Sequence, residues 1–235
     1  MVNNWLTTIQ TFLYPGICMI CGKRSGTCRD LCSSCAAALP RNARPCRCCA
    51  LPLPDGAGPG ALCGDCQNRP RPYTRVTAPW LYDGQIRRLH QAFKFDRKLA
   101  AGRLLSDLLH DAIETADEAR PQLLIPVPLH PSRVRERGFN QAAELARNLS
   151  RRLDIPTDPF CMRRRRATVP QSGLNKQQRI RNIRNAFAAQ GRLEVAHVAL
   201  VDDVMTTGMT IEQAAKVLKR CGVGRVDAWV VARRP

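Results

Sequence analysis

The sequence contains no run of apolar residues near the roughly 20 that a membrane-spanning helix needs. Its first residues also lack the basic start and the cleavage site of a secretory signal peptide. We therefore expect a cytoplasmic protein without membrane insertion. The 44% hydrophobic content excludes disorder of the whole chain, and 235 residues suffice for one ordinary domain and a small accessory one.

Cysteine is scarce in most of the chain, because ten of the twelve cysteines lie between Cys18 and Cys66. We interpret the other two, Cys161 and Cys221, as buried thiols. Clustered cysteines in a reducing compartment more often bind metal than form disulfides. Residues 1–72 are therefore predicted to form a separate cysteine-rich module.

The module contains four Cys-x-x-Cys pairs, which are Cys18/Cys21, Cys32/Cys35, Cys46/Cys49 and Cys63/Cys66. The two-residue gap lets a tight knuckle present both sulfurs to one ion, and two knuckles complete a tetrahedral four-sulfur site. We therefore predict two structural zinc ions. Sequential pairing of the knuckles closes the shortest loops, while crossed pairing stays open. Cys28 and Cys48 are left over as spare thiols or substitute ligands.

Two other chemistries compete with zinc for these cysteines. One is iron–sulfur ligation, and the other is thioredoxin-like redox chemistry, which needs its motif at a helix start beside a strand. This stretch offers no such helix start. A redox protein, which would be coloured or redox-active when purified, is the least favoured function.

Beyond residue 72 the sequence alternates strand and helix patterns. Strands are predicted at 76–82, 123–129, 195–201 and 226–231, and helices at 99–116, 139–153 and 210–221. Another helix carries Ile86, Leu89 and Phe93 on one face, and a further one at 4–13 would dock on the rest of the chain. Alternating strands and helices indicate an α/β fold, a mostly parallel sheet flanked by helices, over residues 73–235.

One predicted strand-to-helix connection has the residues for binding a sugar phosphate. After the apolar strand come Asp202 and Asp203, and then the turn Met205, Thr206, Thr207, Gly208, Met209 and Thr210. Backbone N–H groups at a helix start bind phosphate, and threonine hydroxyls add donors. Adjacent carboxylates accept hydrogen bonds from ribose hydroxyls or lie near a magnesium ion. The alternative is an ordinary connection with Thr210 as the N-cap.

This connection resembles the phosphoribosyl pyrophosphate motif of type I phosphoribosyltransferases, matching its four apolar residues, its acidic pair and its Thr-Thr-Gly-x-Thr. The whole chain is similar to the ComF family, which includes competence proteins and Gnt-X-like proteins. The cysteine pairs carry this resemblance together with two segments, Val127-Pro128-Leu129-His130 through Asn140-Gln141 and Arg166-Ala167-Thr168 through Asn185-Ala186-Phe187. The resemblance implies a type I phosphoribosyltransferase fold behind a double zinc ribbon.

The resemblance also implies a role for each site residue. The loop at 128–138 would bind pyrophosphate, and the turn at 205–210 the phosphate of phosphoribosyl pyrophosphate, with Mg²⁺ as its cofactor. The implied catalytic residues are Asp202, Asp203 and Arg137, and the further substrate contacts are Leu129, His130, Arg133 and Arg179. The reaction would transfer phosphoribosyl to an unidentified acceptor, in nucleotide salvage or in connection with DNA uptake.

Acidic residues are absent between Asp158 and Glu194, where eight Arg and one Lys supply half of the formal net charge of +18. They are Arg163, Arg164, Arg165, Arg166, Lys176, Arg179, Arg181, Arg184 and Arg192. One interpretation is a mobile hood over the substrate, with motion permitted at Pro170 and Gly173. The other is a surface that binds single-stranded DNA, although aromatic residues for base stacking are scarce. That interpretation implies a non-enzymatic competence or DNA-utilisation factor that contacts DNA-uptake proteins.

Overall fold

A computed structural model of the protein describes residues 16–27, 29–116, 118–165, 186–189 and 191–235. Its helices are α1 (Ser33–Ala37), α2 (Gly64–Asn68), α3 (Gly84–Lys94), α4 (Leu99–Thr115), α5 (Pro131–Arg137), α6 (Gln141–Leu153) and α7 (Met209–Arg220). Its strands are β1 (Arg75–Thr77), β2 (Trp80–Leu81), β3 (Leu123–Pro126), β4 (Met162–Arg164), β5 (Phe187–Ala189), β6 (His197–Met205) and β7 (Arg225–Arg233). The helix predicted at 4–13, Cys28, Pro170, Gly173 and Arg179 lie outside the described residues. None of the described helices is long and apolar enough to cross a membrane.

The described strands form a five-stranded parallel sheet and a separate antiparallel pair. In the sheet the order is β1-β7-β6-β3, and β2 also pairs with β7. β6 and β7 are nine residues long and apolar over most of their length. Such runs are typical of parallel strands that are covered on both faces. β4 and β5 form the antiparallel pair.

The two faces of the sheet belong to different apolar clusters. Ala199 of β6 belongs to a cluster with α3, α4 and α6, in which Phe93 and Leu145 are fully buried. Its neighbour Leu200 belongs to a second cluster, which contains Leu218 of α7 and several cysteines of the N-terminal module. Helices thus cover both faces, and the predicted α/β fold with a mostly parallel sheet is confirmed.

The strand that carries the acid pair is longer than predicted. β6 continues to Met205 because it pairs with β7 along its whole length, so Asp202 and Asp203 are strand residues. The strand predicted at 76–82 is instead divided into β1 and β2. The acid pair is therefore held by the ladder of the central sheet rather than by a loop.

A short helix, α5, occupies most of the segment predicted as a loop at 128–138. Pro131 stands in its first turn, where the fixed φ of proline suits a helix. His130 is the N-cap, since its Nδ1 accepts a hydrogen bond from Ser132 N at 3.3 Å. Gly138 ends the helix with φ 86°, a conformation that favours glycine.

Two other boundaries differ from the prediction for local reasons. The strand predicted at 123–129 ends at Pro126, because Pro128 has no N–H group with which to continue a ladder. The helix predicted at 139–153 begins only after Asn140, whose side chain caps it. The cap fixes the start of α6 two residues later than the periodicity of the sequence indicates.

Candidate functional site

A cavity of about 600 Å³ lies at the carboxyl ends of β3 and β6. The predicted site residues that line it are Leu129, His130, Arg133, Arg137, Asp202, Asp203, Met205, Thr206, Gly208 and Thr210. Thr207 and Met209 belong to the same turn but do not line the cavity. Ligands of α/β proteins bind at the carboxyl ends of parallel strands. The structure thus brings the segments 129–137 and 202–210, which are distant in sequence, together at the carboxyl ends of parallel strands.

Thr206, Thr207 and Gly208, which we call the phosphate loop, connect β6 to α7. Gly208 is the N-cap of α7 with φ 77°, and a Cβ atom there would lie 2.5 Å from Met205 Cε. Glycine alone fits both restrictions. Thr210, which would be the N-cap in the alternative interpretation, lies inside the helix. Because no side chain among the described residues caps α7, its first N–H groups remain available to an anion.

The acid pair is held by hydrogen bonds from β6 and α3. The backbone N–H of Asp203 donates to Asp202 Oδ1 at 2.9 Å, and that of Val204 donates to Asp203 Oδ1 at 2.7 Å. The second oxygen of Asp203 is 2.8 Å from His90 Nε2. His90 Nδ1 in turn lies 3.1 Å from the hydroxyl of Tyr82. This chain of contacts fixes the position of the Asp203 carboxylate.

The pKa values of the two carboxyl groups are displaced in opposite directions. For Asp203, desolvation opposes ionisation, but attraction to His90, the hydrogen bond from it and the charge of Lys94 outweigh this and lower the pKa. For Asp202, desolvation and then the negative charge of Asp203 raise the pKa well above its ordinary value. Asp203 is therefore the anion of the pair. A cation bound beside Asp202 would favour ionisation of both groups.

Cationic side chains surround the acid pair. Arg133 and Arg137 come from α5, with Arg133 Nη1 2.8 Å from Glu136 Oε2 and Arg137 Nη1 donating to Gln141 Oε1 at 3.3 Å. Arg164 comes from β4, and desolvation lowers its pKa. The remaining cations that line the cavity are Lys94, Arg97 and Arg234. Six lysines and arginines thus face three acidic residues in the described lining, an arrangement that favours an anionic ligand.

Several lining residues escaped the reasoning from sequence. Tyr82, Lys94 and Arg97 belong to segments that show no motif of their own, whereas Arg164 was predicted only as a member of the basic segment. His90 did have a signal, since it follows Ile86 by one helical turn on the buried face of α3. A polar residue at such a position indicates a buried partner, which in this structure is the acid pair.

The eight predicted cysteine ligands form two groups. The first cysteine group is Cys18, Cys21, Cys32 and Cys35, the second is Cys46, Cys49, Cys63 and Cys66, and within each group the sulfurs lie within 4.8 Å of one another. Sequential pairing of the knuckles is therefore confirmed, and Cys48 belongs to neither group. The second group is fully buried, whereas the first is partly exposed. Cys161 is buried as predicted, but Cys221 is only half-buried.

The cysteine groups have the chemistry of zinc ligands. Although desolvation opposes ionisation, backbone N–H donors lower the pKa of Cys18 to about 6 and that of Cys46 to about 7. Desolvation raises the pKa of Cys35 and Cys66 to about 12 and also raises that of Cys49, so each group holds one thiol that ionises readily beside others that would need the metal to do so. Zinc binds the thiolate form, so a low pKa favours its coordination. Four sulfurs without an open position are typical of a structural rather than a catalytic site. The groups thus fit two structural zinc ions.

Two family models match the chain. Residues 9–67 match the double zinc ribbon domain, and residues 138–235 match the phosphoribosyl transferase domain. The first match covers all eight cysteines of the two groups. The second covers α6, the acid pair, the phosphate loop and α7. The protein therefore combines a double zinc ribbon, which supports structural zinc, with a domain of the phosphoribosyltransferase fold.

The chain belongs to the ComF family. It is 35% identical to competence protein F of Haemophilus influenzae over 178 residues, which are 73% of this chain and 78% of that protein. It is 33% identical to DNA utilization protein YhgH of Escherichia coli K12 over 235 residues, 97% of this chain and 96% of that protein. A purine phosphoribosyltransferase from Pyrococcus horikoshii superposes with a TM-score of 0.36 and 20% identity over 56% of this chain and 74% of that chain. The fold assignment rests on the family models and the sheet topology.

Proposed function

We propose that the cavity binds phosphoribosyl pyrophosphate with Mg²⁺ and that the protein transfers the phosphoribosyl group to an acceptor. The supporting observation is that one cavity combines an uncapped helix start, an acid pair and a basic helix. Phosphoribosyl pyrophosphate has one group for each feature: its phosphate suits the helix start, its ribose the acid pair, and its pyrophosphate the basic helix. The names of the relatives suggest that this chemistry serves competence or DNA utilisation, and we propose that it does so in the cytoplasm.

The binding roles follow from the chemistry of each wall of the cavity. The N–H groups of the phosphate loop and the hydroxyl of Thr210 would bind the phosphate. Asp202 and Asp203 would accept hydrogen bonds from the ribose hydroxyls. Arg133 and Arg137 would bind the pyrophosphate, because guanidinium groups match its oxygens in a bidentate manner.

The acid pair also fits a magnesium ion. Carboxylate oxygens are the ligands that this hard cation prefers. Desolvation and then the negative charge of Asp203 raise the pKa of Asp202, and a cation would compensate that charge. When bound, the ion would neutralise part of the charge of the pyrophosphate. Asp202 and Asp203 are the residues that would hold it beside the ribose.

The transfer step breaks one bond and forms another at C1 of the ribose. The bond between C1 and the pyrophosphate oxygen breaks, and its electron pair leaves with the pyrophosphate. An acceptor nitrogen supplies the electron pair of the new bond on the opposite face and then loses its proton. Arg137 would stabilise the charge that develops on the leaving group, and the acid pair would stabilise the cationic ribose.

Calorimetric titration of the zinc-loaded protein with phosphoribosyl pyrophosphate and Mg²⁺ tests the proposal. We expect binding by the wild type and a loss of at least about 100-fold in affinity in Asp202→Asn/Asp203→Asn, since several hydrogen bonds to the ligand are removed. Asp154→Asn is the control, because Asp154 is an exposed carboxylate and asparagine tolerates its φ of 53°. A folded wild type that does not bind would refute the proposal.

A non-enzymatic role in binding single-stranded DNA is the second candidate. It is favoured by the exposed positions of Arg163, Arg165 and Arg192, all from the basic segment between Asp158 and Glu194. Cations on a surface attract the phosphate backbone regardless of base sequence. Such binding would depend on these arginines rather than on the acid pair, and it would weaken steeply with salt.

A further inference from the structure

One buried side chain contacts both the phosphate loop and the second cysteine group. Arg233 is the last residue of β7 and is only 6% exposed. Its Nη1 donates to Met205 O at 3.0 Å and also to Thr206 O, the first carbonyl of the phosphate loop. Its Nε donates to Cys49 O at 3.2 Å. The same guanidinium thus connects a metal-binding knuckle to the loop.

The contacts of Arg233 also determine which way the loop amides point. The C=O and N–H groups of a trans peptide point in opposite directions. Because Met205 O and Thr206 O accept from the buried guanidinium, the N–H groups of Thr206 and Thr207 are directed away from it. These are the donors that an anion at the loop would use.

A second link runs from the same cysteine group to the helix that follows the loop. Glu212 of α7 is 1% exposed, and its carboxylate lies 2.9 Å from Arg71 Nη1 and is also paired with Arg69 and Lys216. Arg71 is paired in addition with Asp65, which stands between the two cysteines of the last knuckle. The first turn of α7 is therefore anchored to the second cysteine group.

The first cysteine group has a different neighbour. Arg29, between its two knuckles, pairs with Asp111 of α4, and Arg29 Nη2 lies 2.9 Å from Asp111 Oδ1. α4 covers the sheet face that is opposite to α7. The first cysteine group is thus joined to α4, whereas the second is joined to the phosphate loop and α7.

We infer that Arg233 and the Arg71–Glu212 ion pair form a positioning network through which the second zinc site fixes the phosphate loop in its binding conformation. The network acts through the loop, and its residues do not act on the ligand. Its consequence for affinity rests on the function proposed above. Its consequence for the loop itself does not, because the order of the loop can be measured without a ligand.

Hydrogen–deuterium exchange of the zinc-loaded full chain, with zinc content and calorimetry, tests the network. In Arg233→Lys, which keeps the charge but loses the planar fork, we expect both zinc ions to remain. Exchange at the phosphate loop is read from the amides of Arg234 and Glu212, which donate to Met205 O and Gly208 O at its two ends, each at 2.9 Å. These amides should exchange about tenfold faster, and phosphoribosyl pyrophosphate with Mg²⁺ should bind about tenfold more weakly. Amides in the middle of β6 should keep their protection, which a general loss of stability would not allow.

Arg225→Lys is the matched control. Arg225 stands at the other end of β7 and is bound to Asp227, with Nε 3.0 Å from Oδ2. We expect this variant to leave exchange in the phosphate loop unchanged. If Arg233→Lys does not fold, Glu212→Gln takes its place with the same readouts, since it removes the charge of the second link at nearly constant shape.

The outcomes separate this inference from the proposed function. Wild-type exchange at the phosphate loop in folded Arg233→Lys, or in Glu212→Gln if that variant is the one used, would overturn the network whatever the affinity. Faster exchange in a protein that never binds phosphoribosyl pyrophosphate would support the network and refute the proposed function. Faster exchange with weaker binding would support both.

Discussion

Two adjacent residues of the same type have opposite effects on the stability of this site. Asp203 is stabilised as an anion by His90, whereas Asp202 is a carboxyl group placed beside that anion. A carboxyl group whose ionisation is opposed by burial and by a neighbouring anion is common where a protein is built to bind a ligand rather than to be maximally stable. We therefore expect the carboxyl group of Asp202, but not that of Asp203, to favour ligand binding while it lowers the stability of the fold.

We predict that Asp202→Asn raises the free energy of unfolding of the ligand-free protein at neutral pH by about 0.5–2 kcal/mol. Asp203→Asn, the same change one residue along, should lower it by about 1–3 kcal/mol because it removes the charged partner of buried His90. Both variants should lose affinity for phosphoribosyl pyrophosphate. Urea unfolding with matched calorimetry checks the signs, and destabilisation by Asp202→Asn would contradict the assignment of the raised pKa.

The two effects depend on pH in opposite ways. The pKa of Asp203 is lower in the folded state, so its stabilisation is complete above the unfolded pKa of about 4 and is lost as the pH falls through the folded value. The pKa of Asp202 is higher in the folded state, so its penalty is absent below about 4 and grows as the pH rises through the folded value. The advantage of Asp202→Asn should therefore disappear in acid.

Among single elements, the phosphate loop is restricted at Gly208 in two ways. A left-handed φ and the contact with Met205 both restrict Gly208. Gly191 has a similar φ of 69°, but a Cβ atom there would meet nothing within 4 Å. Substituting alanine at Gly191 thus measures the cost of backbone strain alone, and the same substitution at Gly208 adds the cost of contact between the new Cβ atom and Met205.

We predict that Gly191→Ala costs about 1 kcal/mol of unfolding free energy, the usual penalty for a left-handed residue with a side chain. Gly208→Ala should cost about 0.5–1.5 kcal/mol more, because the end of the Met205 side chain must leave its rotamer, and should weaken anion binding at the loop. Thermal unfolding measures the first effect and calorimetry the second. Equal losses in the two variants would mean that the contact with Met205 is not restrictive.

The elements that periodicity did not predict depend on contacts distant in sequence. β6 reaches Met205 only because β7 offers a partner along its full length, and no local pattern records that pairing. α5 depends on Pro131, His130 and Gly138, which are capping signals in a segment too short and too basic to show an apolar face. The motif at 202–210 was predictable because its residues are contiguous.

At the scale of the whole molecule, the sequence showed two chemically different regions but not how they are joined. The cysteine spacing predicted the four knuckles because each knuckle is local, whereas their sequential pairing, which the spacing left open, is seen only in the structure. By contrast, Arg233 and Glu212 gave no signal of their contacts with residues more than a hundred positions away. The boundary at residue 72 remains a prediction, and both apolar clusters extend across it.

The charge of the whole molecule makes a further prediction possible. A net charge of +18 attracts any polyanion, so weak DNA binding alone is no evidence of a dedicated surface. Binding to a dedicated DNA-binding surface would instead depend on particular residues. Arg163 and Arg165, which are exposed, would belong to that surface. Arg87 and Arg88 on α3 are also exposed and adjacent, but they lie outside the basic segment.

We predict that Arg163→Gln/Arg165→Gln flattens the slope of log affinity against log salt for an oligothymidine by up to about 1.4, since each single-strand phosphate contact contributes about 0.7. Arg87→Gln/Arg88→Gln removes the same charge and should leave the slope unchanged, and neither variant should alter the affinity for phosphoribosyl pyrophosphate, because none of these residues lines the cavity. Fluorescence anisotropy over a series of salt concentrations measures the slopes. Equal flattening by both pairs would show that only net charge attracts DNA, which would leave the cavity as the specific site of the protein.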